Sequence, residues 1–262
     1  MRKDKKFGKC HICGIIGKLS FEHVPPKKAF NSRKVLTVSG DEMLLRQDIP
    51  PWEMSGRKLE QIQQGYGGHT LCNQCNNDTG SWYAPPFFDF VEQAARQLRG
   101  NELVANTQMK LSFKSIMPLR VAKQIVTCFA SINSNSLFDS CESLRNFVLD
   151  REHGKLDSRS FGIYCYVLVG SLARYVGKAA MIDMNRGYTF LSEFAHRPFG
   201  YVLEFDPGDL LSEQYCDISF FANKYTLDEK IDLELEIPIR ASESPLPGHH
   251  STRAELERVL KK

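Results

Sequence analysis

Two cysteine pairs limit what this chain can fold into: Cys10-His11-Ile12-Cys13 and Cys72-Asn73-Gln74-Cys75. Cysteines two residues apart reach one ion through a tight backbone turn. Two such pairs supply the four thiolates of a tetrahedral zinc site and leave no position open for water. Gly14 follows the first pair, where such a turn needs it. The 58 residues between the pairs are too many for a compact zinc finger, so an insertion must loop out. The remaining cysteines, Cys128, Cys141, Cys165 and Cys216, are scattered, and Cys128 and Cys165 sit in apolar runs as small core residues do. No run of about 18 apolar residues is present, and the N-terminus has no continuous apolar segment. A membrane span and a signal peptide are therefore not expected, and a cytoplasmic location is. In that reducing compartment paired cysteines read as zinc ligands, not disulfides.

Charge is unevenly placed. The net charge of +3 is made of +8 on residues 1–35 and −5 on the rest. The basic end coincides with the first cysteine pair, and a phosphate backbone is the natural partner of such a patch. Lys27, Lys28, Arg33 and Lys34 are the candidate phosphate contacts, and Arg2 to Lys6 adds a basic, solvated tail.

With 42% hydrophobic and 25% charged residues, the chain has the composition of a globular protein with a sizeable core. Residues 7–84 are motif-dense and punctuated by Gly and Pro. Val35 to Val38 reads as a strand and Arg57 to Gln64 as a short helix ended by Gly65-Tyr66-Gly67-Gly68. A helix is expected after Cys72. Residues 85–240 read as an accessory, sensing or dimerisation domain. Phe87 to Leu98 and Pro118 to Ile132 have helical spacing, the second with proline at its start. Leu137 to Leu149 is a further helix. Strands are expected at Gln108 to Phe113, Gly162 to Val169, Tyr188 to Ser192, Gly200 to Glu204, Ile218 to Phe221 and Ile231 to Pro238. Strands following helices in blocks point to an α+β fold, not a doubly wound sheet. Residues 241–262 read as a flexible tail with a short helix over Ser251 to Lys261, capped by Ser251 or Thr252.

Between the cysteine pairs stands Glu22-His23-Val24-Pro25-Pro26, directly after the apolar Leu19-Ser20-Phe21. A histidine at a strand end, stiffened by prolines, keeps a fixed orientation. Its neutral ring can take a proton from water, and Glu22 offers a hard oxygen to Mg²⁺ or another divalent ion. Asn76, Asn77 and Asp78 follow the last cysteine. An asparagine there can ligate a metal through its amide oxygen, orient the base, or simply cap the helix. His69 is a further candidate facing the site.

Taken together, C-x-x-C, Glu-His-x-Pro-Pro and Gly-Gly-x-x-Leu-Cys-x-x-Cys-Asn-Asn resemble the HNH endonuclease family, the zinc-stapled branch of the ββα-metal nucleases, in the variants found in bacterial restriction and anti-phage systems. The resemblance covers residues 7–84. It implies an HNH module with a structural zinc on Cys10, Cys13, Cys72 and Cys75. His23 would be the general base, and Glu22 and Asn76 would hold one catalytic divalent ion. The family often has Asp where Glu22 stands. Its middle Asn, which orients the base, falls on Gly67. His69, Asn77 or a backbone carbonyl must take over that task, or the module is weakened. The implied activity is metal-dependent hydrolysis of phosphodiester bonds in double-stranded DNA, in restriction or phage defence, with a homodimer or a defence-system subunit as a further partner. The other readings are a catalytically silent zinc module that binds nucleic acid or a protein, and an RNA-cutting, toxin-like nuclease.

Overall fold

The computed structural model describes residues 6–46, 48–152, 155–170, 172–183 and 187–260. Arg2, Lys3 and Lys5 of the basic tail and the terminal Lys261-Lys262 lie outside them. The N-terminal part contains β1 (Phe7–Lys9), β2 (Ile16–His23), β3 (Val35–Thr37), α1 (Gly40–Leu45), β4 (Glu60–Ile62), β5 (Gly67–Cys72) and α2 (Asn73–Trp82). After it come α3 (Ala84–Leu98), β6 (Gln108–Ile116), α4 (Pro118–Ile132), α5 (Ser136–Ser140) and α6 (Glu142–Leu149). The rest is mainly strand: β7 (Phe161–Val169), β8 (Arg174–Asp183), β9 (Gly187–His196), β10 (Phe199–Phe205), α7 (Asp209–Ser212), β11 (Cys216–Asp217), β12 (Ile231–Ala241) and α8 (Arg253–Leu260). The fold is mixed α+β.

A three-stranded antiparallel sheet, ordered β1-β2-β5, carries both cysteine pairs. The insertion between β2 and β5 forms its own two-stranded ribbon of β3 and β4. The larger sheet runs β6-β12-β7-β10-β9-β8, with β11 added beside β7. Its pairings are antiparallel except β12 with β7.

Helix α4 is the hub. Its sequence PLRVAKQIVTCFASI is apolar or small nearly all round, the pattern of a helix covered on every side, and 13 of its residues are buried. It packs on α3, α6, α2, β5, β8, β9 and β10. Its one buried lysine, Lys123, donates to the carbonyls of Phe147 and Asp150, where the C-terminus of α6 favours a cation. One hydrophobic cluster therefore runs without a break from Cys10 and Leu71 through α3 and α4 to Ile239. The boundary expected at 84/85 falls in the first turn of α3, just after Tyr83. That residue is fully buried and donates its hydroxyl to the Val148 carbonyl, 3.0 Å away.

Four expectations are corrected. Leu137 to Leu149 is not one helix, because the backbone leaves the helical conformation at Cys141 between α5 and α6. Arg57 to Gln64 is not helical. Glu60–Ile62 pairs with β3, and Arg57 turns its guanidinium onto the carbonyls of Ile49, Pro50 and Glu53. Ile218 to Phe221 is not a strand. A 3₁₀ turn covers Ser219–Ala222, held where the Ser219 hydroxyl accepts from the Ile163 N–H at 2.8 Å. Residues 242–250 are not a loose linker. Arg174 donates to the carbonyls of Ser244, Leu246 and His249 at 2.7 to 3.1 Å, and Glu193 accepts from the Gly248 N–H at 3.0 Å. Helix α8 follows. Thr252 and Glu255 cap it reciprocally, with the Glu255 carboxylate taking the Thr252 N–H and the Thr252 hydroxyl the Glu255 N–H.

Candidate functional site

The two knuckles form for separate local reasons. In the first, Cys10 and Gly14 close the β1–β2 turn: the Cys10 N–H bonds the Ile15 carbonyl and the Gly14 N–H the Cys10 carbonyl. Gly14 sits at φ +75°, the left-handed conformation that favours glycine. In the second, Cys72 is the N-cap of α2, and its sulfur accepts from the Cys75 N–H at 3.5 Å. The His11 N–H donates to the Thr70 carbonyl and ties one knuckle to the strand carrying the other.

All four sulfurs then lie within 4.8 Å of one another. Cys13 Sγ and Cys72 Sγ are 3.8 Å apart. Sulfurs about 2.3 Å from a tetrahedral zinc are separated by about 3.8 Å, so this group could hold a metal such as zinc. Their protonation is shared. A hydrogen bond from Cys75 pulls Cys10 down to about 4 against the effect of burial, and the same bond pushes Cys75 up. Burial raises Cys13. A cation at the centre favours the thiolate form of each.

His23 ends β2. Its Nε2 lies 2.9 Å from the Gln64 carbonyl. A carbonyl only accepts, so Nε2 carries the hydrogen, and in the neutral ring Nδ1 is left with its lone pair. Partial burial lowers the His23 pKa, the Gln64 carbonyl opposes this, and the charge of nearby Lys27 lowers it further. The ring is thus neutral at pH 7. Phe21 packs edge-on against it, with centroids 5.0 Å apart.

Gln64 holds this position through a clip that sequence reasoning missed. Asn31 is 1% exposed. Its amide donates to the carbonyls of Pro25 and Tyr66 and accepts from the Tyr66 N–H, each at 2.8 Å. It acts as a short extra strand that joins the loop after His23 to the loop before Gly67. A polar residue after a proline turn was the only signal, and many such residues are merely solvated.

Gly67 pairs with His23 across the sheet. A Cβ at that position would lie 2.0 Å from the Glu22 carbonyl oxygen. No asparagine fits there. Of the three substitutes named for the middle Asn, it is a backbone carbonyl, that of Gln64, which contacts the His23 ring. His69 faces Phe21 instead, ring to ring at 5.4 Å.

Glu22 is 8% exposed, and burial pushes its pKa up to about 8. Its carboxylate accepts no hydrogen bond among the described residues. It lies close enough to Cys128 of α4 that its charge joins burial in raising that thiol. A buried carboxylate without a partner is costly when charged, unless a cation joins it. Asn76, in the first turn of α2, donates both amide hydrogens to β2: to Ser20 Oγ at 3.0 Å and to the Phe21 carbonyl at 3.1 Å. Its Oδ1 remains without a partner among the described residues. Asn77, one step round the helix, is exposed and makes no side-chain bond to this group. Lys27, Lys28, Arg33 and Lys34 are all exposed, on the segment that follows His23.

Among the described residues no helix is long and apolar enough to cross a membrane. No protein-family model, curated protein or solved structure matches this chain.

Proposed function

We propose that this chain is a metal-dependent endonuclease of the HNH type that hydrolyses DNA phosphodiester bonds, acting in restriction or phage defence. One observation carries the reading. His23 at the end of β2 has its Nε2–H bonded to the Gln64 carbonyl, which leaves the Nδ1 of the neutral ring its lone pair, and it follows Glu22, whose buried carboxylate accepts no hydrogen bond among the described residues. The order β2, β5, α2 around the four cysteines is the arrangement expected of a zinc-bound ββα-metal module.

Hydrolysis of a phosphodiester needs a base for the attacking water and positive charge at the phosphate and the leaving oxygen. His23 Nδ1 takes the proton from water, and the Gln64 carbonyl stabilises the imidazolium that results. Glu22 and Asn76 Oδ1 would hold a divalent ion, which when bound supplies that positive charge. The four cysteines would hold a structural zinc. Lys27, Lys28, Arg33 and Lys34 contact the backbone of the nucleic acid without reading its sequence.

The test is a digestion of plasmid, single-stranded DNA and tRNA with Mg²⁺, Mn²⁺ and Ni²⁺. Plasmid cutting is expected, and His23→Ala lowers its rate by about 10²- to 10⁴-fold while zinc stays at one per chain. Undiminished cutting by His23→Ala overturns the assignment of the base, and cutting of tRNA alone selects the RNA-directed reading. A second reading, a non-cutting zinc module that binds nucleic acid or a protein partner, is favoured by the cover that α4 lays over Glu22. Salt-sensitive DNA binding with no cleavage under any of the three ions selects it.

A further inference from the structure

Away from the cysteine cluster, a cavity of about 540 Å³ opens between the end of α3, the end of β7 and the turn from β9 to β10. Its volume falls in the range of small-molecule sites. Ala95, Leu98 and Leu168 give it an apolar wall, and Arg99 and Arg197 stand in its lining. Both arginines are exposed. Neither has a carboxylate partner among the described residues. Arg197 spends one N–H on the Gly170 carbonyl, and the side chain of Arg99 makes no bond among the described residues.

Another part of the wall is Phe30, from the loop that follows His23. It is 48% exposed and sits at φ +64°. That conformation is strained for a bulky aromatic residue and persists only where the surroundings enforce it. Here they do. Asn31 is fixed by its three bonds to Pro25 and Tyr66. The Phe30 backbone reaches the His196 ring closely enough to oppose the lowering of its pKa by burial, and the Nδ1 of that ring lies 2.7 Å from the Tyr175 hydroxyl. Buried machinery thus presents an aromatic ring at the edge of an apolar cavity whose rim carries two arginines, neither in an ion pair among the described residues.

We propose that this cavity binds a small organic anion with a planar apolar body, its carboxylate or phosphate at Arg99 and Arg197 and its body between Phe30 and the α3 wall. The probe is anilinonaphthalene sulfonate, which has this chemistry, beside the uncharged phenylnaphthylamine, each followed by fluorescence titration of the full chain. Saturation at one sulfonate probe per chain is expected. The double variant Arg99→Ala/Arg197→Ala weakens the sulfonate about tenfold, as two partly exposed ion pairs allow, and leaves the uncharged probe unchanged. Ala95→Trp, which fills the cavity, removes binding of both. Thermal midpoints of the variants within a few degrees of wild type establish that they are folded. Equal affinity of the sulfonate for wild type and the double arginine variant overturns the proposal, as does full binding by Ala95→Trp. The readout is binding alone, so it stands or falls separately from nuclease activity.

Discussion

At the scale of single residues, Gly67 decides more than any side chain in the site. From sequence it is only the position where an orienting asparagine is missing. In the fold it is the point where β5 passes so close to β2 that a Cβ would lie 2.0 Å from the Glu22 carbonyl oxygen, while at the neighbouring Gly68 the nearest atom to a Cβ is the Thr70 methyl at 3.4 Å. Gly67→Ala must therefore push the strands apart beside both Glu22 and His23, an overpacking of the kind that costs about 1–3 kcal/mol or more. Gly68→Ala meets only an ordinary contact and is expected to change stability by less than about 1 kcal/mol. Urea denaturation of the two variants checks this, and equal effects would refute the close approach. Gly67→Asn is expected to behave as Gly67→Ala does, since the clash begins at Cβ. The cluster of Cys10, Cys13, Cys72 and Cys75 was legible because its spacing is chemical. The Gln64 carbonyl was not, because any residue supplies a carbonyl and only the path of the backbone selects which one reaches His23.

At the scale of elements, the pattern was legible where burial follows a period. Helix α4 spans Pro118–Ile132, the range its spacing predicts, because proline fixes its first turn and its apolar residues cover the whole circumference. Strand β8, Arg174–Asp183, escaped notice. It is the edge of the large sheet, and its small and charged residues mask the alternation a half-buried strand should show. The segment 242–250 was misread because Ser, Pro, Gly and His are also the residues of loose linkers. What fixes it is distant in sequence: Arg174 on β8 and Glu193 on β9, an ion pair at 2.7 Å with side chains 3% and 0% exposed. His250 completes the latch. Its Nδ1 lies 2.9 Å from the Arg174 guanidinium and 3.1 Å from the Ala241 carbonyl, and its Nε2 lies 2.8 Å from the Tyr215 hydroxyl. Burial lowers its pKa to about 4, with Glu193 opposing and Arg174 assisting. The unfolded chain binds this proton near pH 6.5 and the folded chain only near pH 4. The stability that the neutral ring contributes is thus complete above about pH 6.5 and is lost as pH falls toward 4. Wild type should lose more stability across that window than His250→Gln, by up to about 3 kcal/mol. Parallel denaturation curves at several pH values measure the difference, and identical slopes would show that the latch does not titrate.

At the scale of the whole molecule, the sequence divides the chain by motif density, whereas the packing joins it. Several contacts tie the cysteine-bearing sheet to the remainder. The His11 ring donates to the Ala130 carbonyl at 3.0 Å, Thr70 bonds Ser131 through their hydroxyls at 3.1 Å, and Lys9 pairs with Asp139. Tyr66 stacks on Tyr175 of β8 with ring centroids 3.6 Å apart. Two of these partners lie on α4, one on α5 and one on the large sheet, and α4 is the centre of the common core. A metal held by the four cysteines would therefore stabilise the entire chain, not a detachable knuckle. Heating should give one transition, reported alike by backbone circular dichroism, dominated by the large sheet and the helices, and by the fluorescence of Trp52 and Trp82, both within residues 7–84. Structural zinc contributes on the order of 10 kcal/mol in isolated fingers, and about 1 kcal/mol moves the midpoint of a domain this size by a few degrees. A chelator that strips the metal should thus lower the single midpoint by at least about 10 °C for both signals together. If the fluorescence change moved to low temperature while the circular dichroism transition stayed in place, the cysteine module would be melting alone, and the continuity of the core would not be energetic.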